Sequence, residues 1–408
     1  MILNQEEQAM LNGECGEAKK WAINHQIQVG KFFDAENLVS VSQVHMMVDP
    51  ESIGEEGVLF LEKIANMGTK VVVPMITDPR GVDLNYYRPL GQTEEMANID
   101  RRTIKACSSM GILMTNTCVN YQTIMPPIYG DHLAYGDTGV VIYSNSACGA
   151  RSNFEGGPSA LAAGLTGRTP RYGLHLDQNR LPTKRFVIKQ QPKELTDWGI
   201  LGAVVGKKAG SYWEVPIIEG LEVTPTSDEM KHLGAAMASY GSTPLFHLYG
   251  ITPEAINIKK ENLNHLEKNK ITQLDLDNLK SQFGKKGDKI DVVVFAAPQL
   301  SIIEMHKVAT LCDNKTFKVP IIVCTSPQVY NDALRMGFIE IIEKSGAKVL
   351  EGTCFYNQYA REIGEANGLK KLLSNAAKIV NILGGYGYQP ALASMEDCIQ
   401  SAIIGEII

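Results

Sequence analysis

No two of the eight cysteines stand in a C-x-x-C pair, and they are scattered from Cys15 and Cys107 through Cys118, Cys148, Cys312, Cys324 and Cys354 to Cys398. That spacing supports neither a disulfide framework nor a zinc ribbon, and isolated thiols of this kind act as small apolar core residues. No apolar run approaches the roughly 18 residues that cross a membrane. No stripe of lysine and arginine interleaves with aromatics, and with a net charge of −6 the chain is expected to bind neither nucleic acid nor membrane. No G-x-G-x-x-G follows an apolar run, and GGYGY (Gly384 to Tyr388) matches no phosphate loop, so a nicotinamide or triphosphate cofactor is not expected. The opening MILNQEEQAM carries acids where a signal peptide has bases, which points to a cytoplasmic protein.

What is present is an ordinary globular composition, 44% hydrophobic and 21% charged, which excludes a disordered or fibrous chain. At 408 residues it is long enough for two or three domains. Asn4 caps a predicted helical opening, NQEEQAMLNGECGEAKKWAINHQIQVGKFF. Short β-branched runs then alternate with helical stretches: LVSVSQVH, GEEGVLFLEKIANMG, TKVVVPMI, TEEMANIDRRTIKACSSMG, ILMTNTCV and GVVIY. The alternation predicts an α/β fold with mostly parallel sheets flanked by helices. Residues 1–255 form the first α/β region. Residues 256–290, rich in Lys, Asn and Leu, read as a solvated helical connection, and a second alternating block fills 291–408.

In open α/β sheets, ligands sit beyond the C-terminal ends of the strands. Several predicted strands end in polar groups, at His45, at Thr77-Asp78-Pro79-Arg80-Gly81 and at Thr117-Cys118. After GVVIY comes SNSACGARSNFEGGP. Arg151 can clamp a carboxylate, Glu155 can move a proton, and Asn145, Ser146 and Asn153 supply neutral hydrogen bonds. Gly156 and Gly157 let the backbone pass close to a ligand before the helical SALAAGL. The alternative is a polar turn with a helix cap. Asp131 and His132 can form an acid–base pair, or a buried histidine tied to backbone. Cys118 and Cys354 sit in similar contexts, NTCVNY and EGTCFY, one in each half of the chain. Two such thiolates could hold iron or an iron-sulfur cluster, or pack as core residues.

Taken together these motifs resemble the large catalytic subunit of the aconitase X family. The resemblance runs nearly end to end, through EEQAMLNGECGEA, the long block from GDHLAYGDTG to RYGLHLD, DWGILGAVVGKKAG, PLFHLYGITPEA, EGTCFY and SMEDCI. It implies an aconitase-like multi-domain fold without the swivelling small domain, which a small partner subunit would supply. It implies a hydro-lyase that dehydrates a small hydroxy acid, with cis-3-hydroxy-L-proline expected slightly ahead of mevalonate 5-phosphate. It places Ser146, Arg151, Asn153 and Glu155 as catalytic residues, and Asn145, Gly156, Gly157 and Lys378 around the substrate, where the strand-end His45 and the Asp131-His132 pair are also expected. Cys118 and Cys354 fall where the family has metal-ligating cysteines.

The chain departs from that pattern. Where the family reads G-C-P-H it has Ala296-Ala297-Pro298-Gln299, so a cysteine ligand and a histidine are absent. Where the family reads N-S-x-K followed by His-Tyr, it keeps Lys378 but has lost the serine and the pair. An altered or lost metal centre, or a subunit that only binds, are the alternative expectations.

Overall fold

A computed structural model describes the whole chain, residues 1–408. Strands β1 (Leu38–Ser40), β2 (Gln43–Met46), β3 (Met75–Thr77), β4 (Leu133–Tyr135) and β5 (Arg168–Pro170) belong to the first region. Its helices are α1 (Gln5–Asn12), α2 (Glu17–Phe32), α3 (Pro50–Ala65), α4 (Glu94–Ser109), α5 (Thr138–Ser146) and α6 (Gly157–Thr166). Three strands form a parallel sheet in the order β3-β2-β4, and β1 pairs antiparallel with β5. Asn4 caps α1 through a reciprocal pair with Glu7, as the opening residues predict.

The second region carries β6 (Lys184–Ile188), β7 (Pro216–Glu219), β8 (His247–Leu248) and β9 (Lys268–Ile271), with α7 (Leu195–Ala209), α8 (Ser227–Gly241) and α9 (Gln273–Lys280). All four strands are parallel, in the order β8-β7-β6-β9. The third region has β10 (Val292–Leu300), β11 (Ile321–Thr325), β12 (Lys348–Glu351), β13 (Lys371–Ser374) and β14 (Gln389–Leu392) in the parallel order β12-β11-β10-β13-β14. Around it lie α10 (Ile302–Cys312), α11 (Pro327–Arg335), α12 (Phe338–Lys344), α13 (Ala360–Asn367), α14 (Ala377–Leu383) and α15 (Met395–Ile404). Every residue of β10 is buried, as in a strand covered on both faces.

Three readings of local structure are corrected. The run GVVIY, expected as a strand, lies in α5, whose first turn is capped by Asp137 through Oδ1 to the Val140 amide at 3.0 Å. This helix is buried on nearly every side, so its sequence shows no 3.6-residue period and resembles a buried strand. ILMTNTCV makes only an isolated bridge at Leu113 to Ile76. The segment 256–290, expected as a helical connection, contributes β9, which pairs with β6.

Helices α7 and α8 pack with their backbones in near contact. A Cβ at Gly202 would lie 2.1 Å from the Leu233 carbonyl oxygen, and one at Gly206 2.5 Å from that of Met237. Gly206→Ala raises intrinsic helix propensity by about 1 kcal/mol. It is nonetheless expected to destabilise the protein by about 1–3 kcal/mol, because the added methyl forces the helices apart. Urea unfolding measures the sign.

Candidate active site

The parallel strands β2, β3 and β4 end toward the loop after β12, and Lys378 enters the same seam from the first turn of α14. Asp137, just past β4, caps α5 with Oδ1 and turns Oδ2 to Lys378 Nζ at 3.4 Å and to the Tyr356 hydroxyl at 3.5 Å. Burial opposes charge on both members of the ion pair. The mutual attraction outweighs it, holding Asp137 below and Lys378 above their usual ranges, so both are ionised. Tyr356 is held well above its ordinary value by burial and by Asp137, and keeps its proton.

The Cys118 and Cys354 thiols, both buried, meet beside this pair. The hydrogen bond from Cys354 holds Cys118 below the usual thiol range, while burial pushes Cys354 well above it. Gln299 on β10 locks the Cys118 backbone in place. Its Oε1 accepts the Cys118 amide at 3.2 Å, its own amide donates to Cys118 Sγ at 3.5 Å, and Nε2 donates to the carbonyls of Asn116 and Thr353. The Gln299 carbonyl in turn accepts from the buried Lys231 Nζ at 3.2 Å.

His45 lies at the middle of the three-stranded sheet, fully buried, and donates Nε2–H to the Thr117 carbonyl at 2.8 Å. Burial lowers its pKa, so the imidazole is neutral and its 3.9 Å approach to Asp78 Oδ1 is not an ion pair. Asp78 is held well above the carboxylate range by burial and by the charges of Asp137, Cys118 and Asp49. Around the seam several buried polar atoms have no hydrogen-bond partner: His45 Nδ1, Asp49 Oδ2, Asp78 Oδ1, Asn116 Oδ1, Asn357 Oδ1 and both ends of the Gln358 amide. Each one left bare costs on the order of 1–3 kcal/mol, so these are groups that a polar partner would satisfy.

The expected site residues divide. His45, Lys378, Cys118 and Cys354 come together at this seam. Asp131, His132 and Arg151 do not, because α5 carries the chain back to the opposite end of β4, and a nine-residue helix spans about 13 Å. There His132 Nδ1 meets His175 Nδ1 at 2.9 Å, Arg151 pairs with the exposed Asp177 at 2.5 Å, and Ser42 donates to Asp131. Asn145, Ser146 and Asn153 work as internal struts. Asn145 bonds the Ser152 and Pro244 carbonyls and the Ser152 amide, Ser146 Oγ accepts the Phe246 amide, and Asn153 bridges Tyr172 and Leu174. The SNSACGARSN stretch therefore lies apart from the thiols. Its end does return to the C-terminal side of β4, where the Glu155 amide donates to the Tyr135 carbonyl. Glu155 is buried against the Thr169 hydroxyl at 2.8 Å, and burial pushes its carboxyl up to about 7. Gly157 starts α6, where a Cβ would stand 3.3 Å from the Met47 carbonyl, and Gly156 caps it.

Asp137, Tyr356 and Asn357 were missed by sequence reasoning. Asp137 was visible as the acid of YGDTG, but its helix was read as a strand. Asp78 and Gln299 were visible only as a polar strand end and as a departure from a motif.

Three family models match the chain: the aconitase X first domain over residues 1–178, the second domain over 182–281 and the third domain over 290–404. The chain belongs to the aconitase X family. It is 35% identical to a phosphomevalonate dehydratase large subunit of Methanosarcina mazei over 100% of this chain and 98% of that protein. It is 28% identical to a cis-3-hydroxy-L-proline dehydratase of Hypocrea jecorina over 99% of this chain and 69% of that one. The crystal structure of Thermococcus kodakaraensis aconitase X in its holo-form superposes with a TM-score of 0.89 at 31% identity, covering 98% of this chain and 100% of that one. As an aconitase X protein the chain is a hydro-lyase, with the aconitase-like α/β architecture expected of it. No helix is long and apolar enough to cross a membrane.

Proposed function

We propose that this aconitase X protein is the large subunit of a dehydratase for mevalonate 5-phosphate, with the Lys378–Asp137 pair at the centre of its chemistry. The observation that carries the reading is a buried ion pair among unpartnered polar atoms. Mevalonate 5-phosphate and cis-3-hydroxy-L-proline are both acids with a hydroxyl β to the carboxylate. Eliminating water takes a proton from the carbon beside the carboxylate. The C–H electrons become the double bond, and the hydroxyl leaves from the next carbon. Lys378 puts positive charge where the substrate carboxylate gathers it. Asp137, kept ionised, accepts the proton, and the Tyr356 hydroxyl gives one to the departing oxygen so that it leaves as water.

End-to-end matching to large subunits favours the phosphorylated substrate, in place of the slight preference for hydroxyproline. The partner is a small swivelling subunit that completes the site. Support for it comes from the names of those relatives and from the length that the Hypocrea jecorina protein has beyond its match.

A cluster held by three cysteines does not fit the residues present. The third family position is Ala297, and no three histidine, cysteine or carboxylate side chains stand close enough to hold a metal. Cys324, the next thiol, accepts the Thr353 hydroxyl at 3.9 Å and is pushed up by burial to about 12. No step above runs through iron.

The test is turnover by the chain co-expressed with its small partner, followed by proton NMR of the new alkene. Mevalonate 5-phosphate is expected to be dehydrated and cis-3-hydroxy-L-proline left intact. The reverse result would exchange the substrates. Turnover of neither would defeat the reading. Iron and acid-labile sulfide analysis of anaerobically purified protein is expected to find no cluster.

A further inference from the structure

Two thiols that take no part in the chemistry above meet across the seam. Cys118 belongs to the first region and Cys354 to the loop after β12 in the third. Both are buried, 5% and 1% exposed, and the Cys354 S–H donates to the Cys118 sulfur. Gln299 clamps the two backbones together. Its Oε1 accepts the Cys118 amide at 3.2 Å, and its Nε2 donates at 3.0 Å to the carbonyl of Thr353, the residue before Cys354. The Gln299 amide also donates to Cys118 Sγ at 3.5 Å. Cys118 thus accepts two hydrogen bonds, and Lys378 adds positive charge nearby.

We propose that Cys118 and Cys354 form a reversible disulfide that ties the first region to the third across the seam. With Ala297 at the third family position, no cluster claims the two thiols. Their setting separates them from a core contact. A sulfur that accepts two donors beside a cation is the one that attacks an oxidant, whereas a thiol in apolar surroundings is inert. Cys107 is of the inert kind, packed among apolar side chains and pushed by burial up to about 12. Cys324 is spoken for by the Thr353 hydroxyl, and Cys398 by the Ala393 carbonyl. The oxidant is a hydroperoxide, of which hydrogen peroxide is the smallest. The Cys118 sulfur attacks one oxygen and the O–O bond breaks. That oxygen stays on sulfur as a sulfenic acid, and the other leaves as water with the Cys118 proton. Cys354 then attacks the sulfenic sulfur, and the S–O bond breaks to release a second water with the Cys354 proton. Two thiols lose two electrons, and one peroxide becomes two waters. The link bears on the site because Lys378 and Asp137, one from each of the two regions, meet under the same seam with side chains no more than 5% exposed. A substrate reaches them when the regions part, and a covalent tie between the regions prevents that. This gating rests on the dehydratase reading; the disulfide does not.

The folded chain is reduced, freed of reductant, treated with hydrogen peroxide, then alkylated in urea and weighed by mass spectrometry. All eight thiols are expected to be alkylated before treatment and two fewer after it, with the Cys118 and Cys354 peptides joined and dithiothreitol restoring the full count. Cys354→Ser, which cannot close the link, is expected to leave Cys118 as a sulfenic acid that dimedone traps. The proposal is overturned if all eight thiols survive in the parent, if the link joins any other two cysteines, or if Cys118 passes on to the sulfinic acid unlinked. Mapping the parent decides the matter even where the variant fails to fold. Turnover separates this proposal from the dehydratase reading. Protein that dehydrates mevalonate 5-phosphate is expected to lose turnover on linkage and regain it with dithiothreitol. Full turnover by the linked form would overturn the gating, whereas linkage in a chain that turns over no substrate would bear out the disulfide and count against the dehydratase alone.

Discussion

Lys378→Met is expected to lower turnover by about 10³-fold, the scale of removing a preorganised charge and its acid–base partner from an active site. The substitution roughly preserves length and leaves Asp137 buried without its countercharge. Losing one member of a buried pair costs about 3–5 kcal/mol, so stability falls as well. The double variant Lys378→Met/Asp137→Asn separates the two effects. Asparagine still caps α5 and carries no charge, so stability is expected to recover while turnover stays low. If the double variant regained activity, Lys378 would have only a structural role. The pH dependence has a definite sign. Asp137 has a lowered folded value, so its contribution to stability is present above the ordinary carboxylate range and lost as pH falls through that lowered value. Lys378 has a raised value, so its contribution is present below the ordinary lysine range and lost as pH rises past it. Both limbs should vanish from the unfolding profile of the double variant.

Lys231→Met is expected to cost about 3–5 kcal/mol with no contact to substrate. Its ammonium, completely buried on α8, meets Glu304 at the start of α10, Asp228 Oδ1 at 3.1 Å and the Gln299 carbonyl at 3.2 Å. His232 Nε2 shares Glu304 through Oε1 at 2.7 Å. Burial works against the Glu304 charge, yet Lys231 and His232 hold its carboxyl down at about 2. The stability it contributes is therefore present above the ordinary glutamate range, about 4.3, and lost as pH falls toward 2. Urea unfolding at pH 7 and at pH 3.5 measures this. The parent should lose stability between the two conditions, and Lys231→Met/Glu304→Gln should lose less. Because Lys231 also holds the Gln299 carbonyl, the single variant is expected to loosen Cys118 and raise its reactivity toward a thiol reagent. Unchanged reactivity would show that Gln299 is held by its side-chain bonds alone.

Much of the scaffold was legible locally. The capped opening of α1, the helices at 50–65 and 94–109 and the buried strands of the third region follow from caps and apolar spacing. What misled was α5. Seven of its nine residues are buried, so no polar face disclosed a helix, and the motif behind it was placed at the wrong end of the sheet. The strand β9 was hidden for the opposite reason. At an edge of its sheet it is largely exposed, and its KNKI reads as solvated chain.

The sequence by itself determined the layered α/β architecture and the family, and it pointed to Cys118, Cys354, His45 and Lys378. Periodicity, caps and motif spacing are local properties and survive in one dimension. Only the tertiary structure decided that Asp137 and Tyr356 meet Lys378, that Gln299 occupies the place beside Cys118, and that Arg151 and His132 stand at the far end of β4. The partners of Lys378 lie 241 residues upstream and on the adjacent loop, and their pairing depends on how two sheets abut. Charge pairing of that kind falls off over a few ångströms, so separation along the chain says nothing about it until the fold has brought the groups into contact.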